Sequence, residues 1–400
     1  SMSRLIITAQ RPHEQRLLRI TSVSGVLIAL LFLIKLALTL VERSSEAVSD
    51  LAAFYEGAAR LRSGLPLYET GVDFYAKPIQ YIYPPPIALL LLPLPDYLTT
   101  WWVWALISLL CWAGALALLL RELSGDLRER VPPIWWPLLL GELVAFTPVL
   151  SHFFWGQTQL QLLLLLTVSW MFLRRGRDVP AGLVLGIAIA VKIFPLLLFA
   201  PLLARRRWRC LAAATLSAGL ILIGSYAAVG WDQAYVFFTD VLPRHSGSVI
   251  AHSTNHTTIA AMLTNAFGSA LLAYYISMAM RGLVMLAVLY GAWRARDTAQ
   301  AFALGMTTLV LVTPVVWEHY FVLVYLPWLD ALARSNRRQQ PLLVVSYFLF
   351  AAAMLIYHVP SSVLWLAQLL PISGGFLLLG IQLQQAIEPV RLEAVVAEGG

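Results

Sequence analysis

The chain has 400 residues, 60% of them hydrophobic and 12% charged, with a formal net charge of +7. A soluble domain carries about 25% charged residues, so this composition excludes one and indicates a polytopic membrane protein. The positive residues sit in short stretches between apolar runs, the pattern of cytoplasmic loops, so the charge does not point to nucleic acid.

In chain order, Ser1-Met2 reads as a tag remnant and is set aside. The apolar run from about 20 to 41 is long enough to span, and reads as an anchor rather than a cleavable signal. Residues 42–83 form a first external loop. Within it, "VSDLAAFYEG" opens an amphipathic stretch in which Leu51, Phe54, Tyr55, Ala58 and Leu61 share one helical face. Gly64 and then Pro66 end that juxtamembrane helix. Asp50 has two readings: a favoured helix N-cap, and a general base held at the membrane interface. The two are compatible, since a helix N-terminus favours an ionised carboxylate. "YIYPPP" extends the backbone at Tyr83, because a residue before proline avoids the helical region. Tyr81 and Tyr83 are then belt tyrosines or an aromatic wall for a sugar or isoprenoid.

A short or partial piece over 84–95 precedes a full span over 99–120. Spans over 134–150 and 157–173 follow, with Glu142 inside the first as a buried partner for some other polar group. "WGQTQ" forms the apex between them, where Gln157 caps helix ends or bonds substrate. Residues 178–204 suffice for two short pieces broken at Pro195. Such pieces are tolerated where they line a protein cavity. Lys192 in "AVKIFP" either snorkels to the interface or supplies a cation for a phosphate. Spans over 208–229 and 268–292 flank a second external loop, 230–257, whose candidates are His252, Asn255 and His256. His252 and His256 are four apart, a metal-compatible spacing in a stretch that otherwise reads as flexible. A tight hairpin over 297–334 has its apex near Trp317, with Glu318 and His319 in "TPVVWEHYF". Spans over 341–358 and 362–383 and a cytoplasmic tail, 384–400, close the chain.

The fold class is therefore all-α: one transmembrane domain over 1–400 of about twelve helices, some short or broken, with both ends cytoplasmic. In this topology Asp50, Tyr81, Tyr83, Gln157, Lys192, Glu318 and His319 collect on the external face. So do six of the seven histidines. Polar groups at membrane depth are costly, and a one-sided collection argues for an active site opening outward. The competing reading is a lipid-linked sugar flippase, which would spread polar groups toward both faces. The sequence contains no glycine-rich phosphate loop, GxSxG elbow, HExxH, CxxC or dinucleotide fingerprint. Cys111 and Cys210 offer neither a disulfide framework nor a metal spacing.

The ordered set of a carboxylate after the first span, Tyr55…Gly64…Tyr68, "YxYPP", "GQ" at an apex, "KxFP" and "PxxWEHY" resembles the bacterial branch of the GT-C membrane glycosyltransferases, family 87. The resemblance covers about 50 to 320. Two departures are visible: Gln159 where the family usually has Asn, and Tyr320 where it often has a second His. The resemblance implies a GT-C fold with juxtamembrane helices in the first external loop, in a bacterial plasma membrane. It implies a polyprenyl-phosphate-linked sugar donor, usually mannose as in the mycobacterial members acting on phosphatidylinositol mannosides, and a lipid or glycan acceptor. Asp50 matches the catalytic aspartate, while Lys192 and His319 match positions near the donor phosphate. Glu318, Gln157, Tyr81 and Tyr83 join the donor-side candidates, and Tyr55 joins the acceptor side. The expected reaction inverts the anomeric carbon and requires neither cofactor nor metal.

Overall fold

The computed structural model describes residues 12–45, 49–71, 79–244 and 256–388. Among the described residues the regular structure is entirely helical. This is the form that satisfies every backbone polar group within one segment when no water is at hand. The chain begins with α1 (Pro12–Ser44), α2 (Asp50–Arg62), α3 (Pro86–Leu91) and α4 (Tyr97–Arg130). Next come α5 (Trp136–Val144), α6 (Thr147–Trp155), α7 (Gln159–Arg174), α8 (Asp178–Val191) and α9 (Phe199–Ala204). They are followed by α10 (Trp208–Val229), α11 (Trp231–Val236), α12 (Ile259–Phe267), α13 (Ala270–Arg294) and α14 (Thr298–Leu311). The last are α15 (Tyr325–Ala333), α16 (Gln339–Ala351) and α17 (Leu364–Ile387).

Among the described residues, seven helical stretches are long and apolar enough to cross a membrane: Pro12–Ser44, Tyr97–Arg130, Pro133–Trp155, Trp208–Val229, Ala270–Arg294, Gln339–Tyr357 and Ser361–Ile387. Four more apolar stretches, Gln159–Arg174, Asp178–Val191, Phe194–Ala204 and Thr298–Leu311, are shorter. Against the expectation of about twelve crossings, the described residues thus hold seven helical stretches of spanning length and four shorter apolar ones. At about 1.5 Å per residue, a 14-residue helix falls well short of a hydrocarbon core about 30 Å thick. The protein itself shelters one of the short pieces completely: every residue of α14 is buried. The long helices show the opposite pattern. Leu30 and Leu31 on α1, Leu220 on α10 and Leu283 and Leu286 on α13 are exposed, as lipid-facing side chains are.

Prolines set several of the breaks, acting one turn upstream of where they stand. A proline cannot donate to the carbonyl four residues earlier, and its ring clashes with that carbonyl. Pro148 follows the end of α5 by four residues, and Pro195 follows the end of α8 by four. The break expected at Pro195 therefore falls at Lys192. Close approach is arranged by small residues. A Cβ on Gly186 of α8 would come within 2.5 Å of the Ala214 carbonyl oxygen on α10, the device by which membrane helices pack without a hydrophobic drive.

One end of the bundle is tied by ion pairs. Arg174 meets Asp126 at 2.8 Å, Arg175 pairs with Glu122, and Arg207 lies 3.5 Å from Asp178. Arg334 lies 3.0 Å from Asp330 and 3.1 Å from Asp297. The basic stretches grouped on one side by the sequence are thus in contact. The opposite ends of α7 and α8 carry Gln157 and Lys192.

Candidate active site

The site starts from α2. Its N-cap is Ser49, not Asp50: Ser49 has an extended backbone, and its Oγ accepts from the Ala52 N–H at 3.2 Å. The Tyr97 hydroxyl, 2.8 Å from Ser49 Oγ, ties this cap to α4. Asp50 is the first helical residue instead. The preceding serine takes the capping position and satisfies the Ala52 N–H, and the Asp50 carboxylate instead accepts from Gln157. Leu51, Phe54 and Ala58 are fully buried and lock the helix against the bundle. Gly64, with φ +70°, ends it, and Leu65 N–H closes back on the Arg60 carbonyl at 2.9 Å.

The "GQ" apex has a physical reason. α6 ends on Gly156 in the left-handed conformation, φ +66°, a region that glycine enters without penalty. A Cβ there would also lie 2.6 Å from Leu51 Cβ, so only glycine lets α2 pack onto this turn. The turn delivers Gln157 to Asp50. The backbone of Gln157 is fixed at both ends: its N–H donates to His152 O at 3.1 Å, and its carbonyl accepts from Trp104 Nε1 at 2.9 Å. Its side-chain Nε2 donates to Asp50 Oδ2 at 2.5 Å, and its Oε1 accepts from Lys192 Nζ at 2.9 Å. The amide orientation is set by this pairing, since a carboxylate accepts and an ammonium donates.

Lys192 stands where α8 stops, with extended backbone. It is 4% exposed, so it does not snorkel. Its ammonium lies 4.9 Å from the Tyr83 ring centroid and 5.2 Å from that of Tyr320, two aromatic faces that attract a cation. Phe194 supports Tyr320 from behind, with ring centroids 5.3 Å apart.

Glu318 and His319 are buried beside this group. Glu318 Oε1 accepts from Ser151 Oγ at 2.6 Å, Tyr357 OH at 2.8 Å and Trp155 Nε1 at 3.0 Å. His319 Nδ1 lies 3.8 Å from the same oxygen, too far for a hydrogen bond. Glu318 Oε2 and both ring nitrogens of His319 have no hydrogen-bond partner among the described residues. Buried polar atoms of this kind are rare and need a reason; a bound polar ligand is one.

Burial pushes the Asp50 carboxyl above its ordinary pKa of 3.8. His319, the Gln157 hydrogen bond and Lys192 pull it back down, and Glu318 adds to the rise. Loss of water on burial thus outweighs the charges that favour the anion, so the net shift is upward, opposite in direction to the effect expected of the helix N-terminus alone.

The remaining candidates divide. Tyr83 faces Lys192. Tyr81 acts as a prop, its hydroxyl donating to Pro84 O at 2.5 Å and accepting from Ala88 N at 3.3 Å. Tyr55 is turned toward the start of α4: its hydroxyl donates to Pro95 O at 3.3 Å, and its ring meets Tyr97 and the Arg62 guanidinium. The ring of His256 packs 4.0 Å from that of Trp317, and the His256 carbonyl accepts from Gln368 Nε2 at 2.6 Å. His252 and Asn255 lie outside the described residues. The sequence reading missed Ser151, Trp155 and Tyr357. Only the four-residue spacing of Ser151 and Trp155, one face of a helix, hinted at two of them.

The chain is similar to known membrane glycosyltransferases. It is 28% identical over 301 residues to an alpha-(1->3)-arabinofuranosyltransferase of Corynebacterium glutamicum, covering 72% of this chain and 68% of that one. It is 25% identical over 305 residues to a polyprenol-phosphate-mannose-dependent alpha-(1-2)-phosphatidylinositol mannoside mannosyltransferase of Mycobacterium tuberculosis, covering 68% and 67%. The protein of the same description from Mycolicibacterium smegmatis is 24% identical over 301 residues, with the same coverage. The family model of glycosyltransferase family 87 matches residues 81–314, which hold Gln157 and Lys192. Apolar helices long enough to span, and a family match over more than half its length, make this chain a membrane glycosyltransferase belonging to glycosyltransferase family 87.

Proposed function

We propose that the protein is an inverting transferase that moves a hexose, most simply mannose, from a polyprenyl-phosphate sugar to a lipid or glycan hydroxyl at the external face of a bacterial membrane. The observation that carries this reading is the hydrogen-bonded chain Asp50–Gln157–Lys192. It holds a carboxylate and a cation on either side of one amide, as a displacement needs a base at one oxygen and positive charge at the other. In this scheme Asp50 accepts the proton of the acceptor hydroxyl as its oxygen bonds to the anomeric carbon. The bond from that carbon to the phosphate oxygen breaks, and its electron pair leaves with the lipid phosphate. Lys192 and His319 stabilise the charge that develops there. One displacement with no carboxylate nucleophile inverts the configuration. Tyr83 and Tyr320 flank the cation and offer faces for a sugar or isoprenoid.

The arabinofuranosyltransferase relative favours a second reading of the donor, a lipid-phosphate pentofuranose. The test is transfer by purified protein in liposomes, given radiolabelled polyprenyl-phosphomannose or polyprenyl-phosphoarabinofuranose with a mixed glycan and glycolipid acceptor. Label moving from the first donor supports the mannose reading, and label moving only from the second replaces it. Label crossing the bilayer on its intact donor, with no product, returns the flippase reading and removes the transferase mechanism.

A further inference from the structure

Glu142, the acid inside the span Pro133–Trp155, takes no part in the transfer site. It was expected to be the buried partner of another polar group. It instead lines a cavity of about 450 Å³ between α5, α15 and α16, together with Trp135, Leu139, Trp328, Tyr347 and Arg337. The volume is in the range of a single small-molecule site, about 300–1,000 Å³, so it suits one chain of a lipid rather than a whole glycolipid. Val344 and Phe348 also line it and are exposed on the outer surface of α16, so the cavity opens where the bundle meets lipid.

Two ionisable groups, Glu142 and Arg337, interrupt this apolar wall. Among the described residues, the Glu142 carboxyl has no hydrogen bond and Arg337 has no ion pair. An ionisable side chain inside a span with no protein partner is costly and marks a site. The two are arranged in order. Arg337 stands at the mouth, in the short connection between α15 and α16, beside exposed Arg338 and near the end of α4, where Gln340 Nε2 donates to Arg130 O at 2.9 Å. Glu142 lies seven residues along the helix from Trp135, about 10 Å deeper at 1.5 Å per residue. A ligand that satisfies both carries an anion at one end, a hydrogen-bonding group part-way down, and an apolar chain.

We infer that this groove holds one acyl lipid with an anionic phosphate headgroup, drawn from the leaflet on the side of the basic loops. The headgroup meets Arg337, and an ester carbonyl of the lipid's backbone accepts a hydrogen bond from the neutral Glu142 carboxyl. A polyprenyl phosphate offers the anion and the apolar chain but no polar group at the depth of Glu142, so it is the poorer occupant. The groove opens at the ion-paired end of the bundle, away from Asp50 and Lys192, so this site is separate from the transfer site.

The test is native mass spectrometry of the full chain in mild detergent, with phosphatidylglycerol, phosphatidylcholine and polyprenyl phosphate added at equal concentration. One phosphatidylglycerol per chain is expected, retained at least fivefold over the other two. Arg337→Ala should erase most of the preference for phosphatidylglycerol over phosphatidylcholine. Glu142→Leu, with Glu142→Gln as the conservative control, should weaken retention severalfold while the conservative change keeps most of it. Val344→Trp, which fills the side of the cavity that opens toward lipid, should remove the bound lipid with an unchanged elution profile. Equal retention of the two phospholipids, preferential retention of polyprenyl phosphate, or lipid retained undiminished by Val344→Trp would each overturn the inference.

Discussion

Replacing Gln157 by leucine keeps the side chain's approximate volume and removes both halves of the bridge. The parent amide donates to Asp50 at 2.5 Å and accepts from Lys192 at 2.9 Å. Hydrogen bonds to charged groups contribute about 1.5–3 kcal/mol each, so the two together hold about 3–6 kcal/mol of positioning. If half of that is expressed in the transition state, the loss of about 1.5–3 kcal/mol corresponds to roughly 10- to 150-fold in kcat/KM. The pH profile adds an independent readout. Asp50 must be ionised to act as a base, and burial places its pKa above the ordinary 3.8. Activity therefore falls as pH drops through that raised value. Gln157 is one of the groups pulling the pKa down, so Gln157→Leu should move the acid limb further up. The assay is initial-rate transfer from labelled donor across pH in liposomes. A variant with parental kcat/KM and an unmoved acid limb would refute the bridge as the device that positions the base.

Four further outcomes follow from the same geometry. Lys192→Met should raise the donor KM at least tenfold and leave acceptor KM within twofold; unchanged donor KM would remove Lys192 from the phosphate. Ser49→Ala should cost about 0.5–2 kcal/mol of stability through the lost cap, measured as a lower Tm, with a fall in kcat because Asp50 loses its anchor. Gly156→Ala must adopt a left-handed backbone at about 1–2 kcal/mol and push Leu51 away, so transfer should fall more steeply than for Ser49→Ala; parental activity would show that the turn is not required. Gly186→Val should prevent α8 from seating on α10 and lower the yield of monodisperse protein, a result that size-exclusion profiles would check.

Much of this was legible in the sequence where local rules decide. The juxtamembrane helix, its end at Gly64 and the uninterrupted span over 208–229 follow from periodicity, glycine and hydropathy. Ser49 and Asp50 are adjacent and both are good caps, so no local rule separated them; the tertiary bond from Tyr97 to Ser49 and the pull of Gln157 on Asp50 did. The break near Pro195 was legible, but its place at Lys192 required counting back to the carbonyl that proline offends. The partners of Glu318 were not legible. Ser151, Trp155 and Tyr357 lie 167, 163 and 39 residues from it in sequence, and only packing brings them together. The upward shift of the Asp50 pKa was not legible for the same reason, because burial depends on the bundle and not on the helix it starts.

The most direct test of the central claim is single-turnover transfer by Asp50→Asn, with donor binding measured on the same preparation. The substitution preserves shape and removes the negative charge and with it the capacity to take a proton. Positioned general bases contribute about 10²–10⁴-fold. The account predicts a loss of that size with donor Kd within about twofold of the parent. Transfer at the parental rate by a variant that binds donor normally would contradict it.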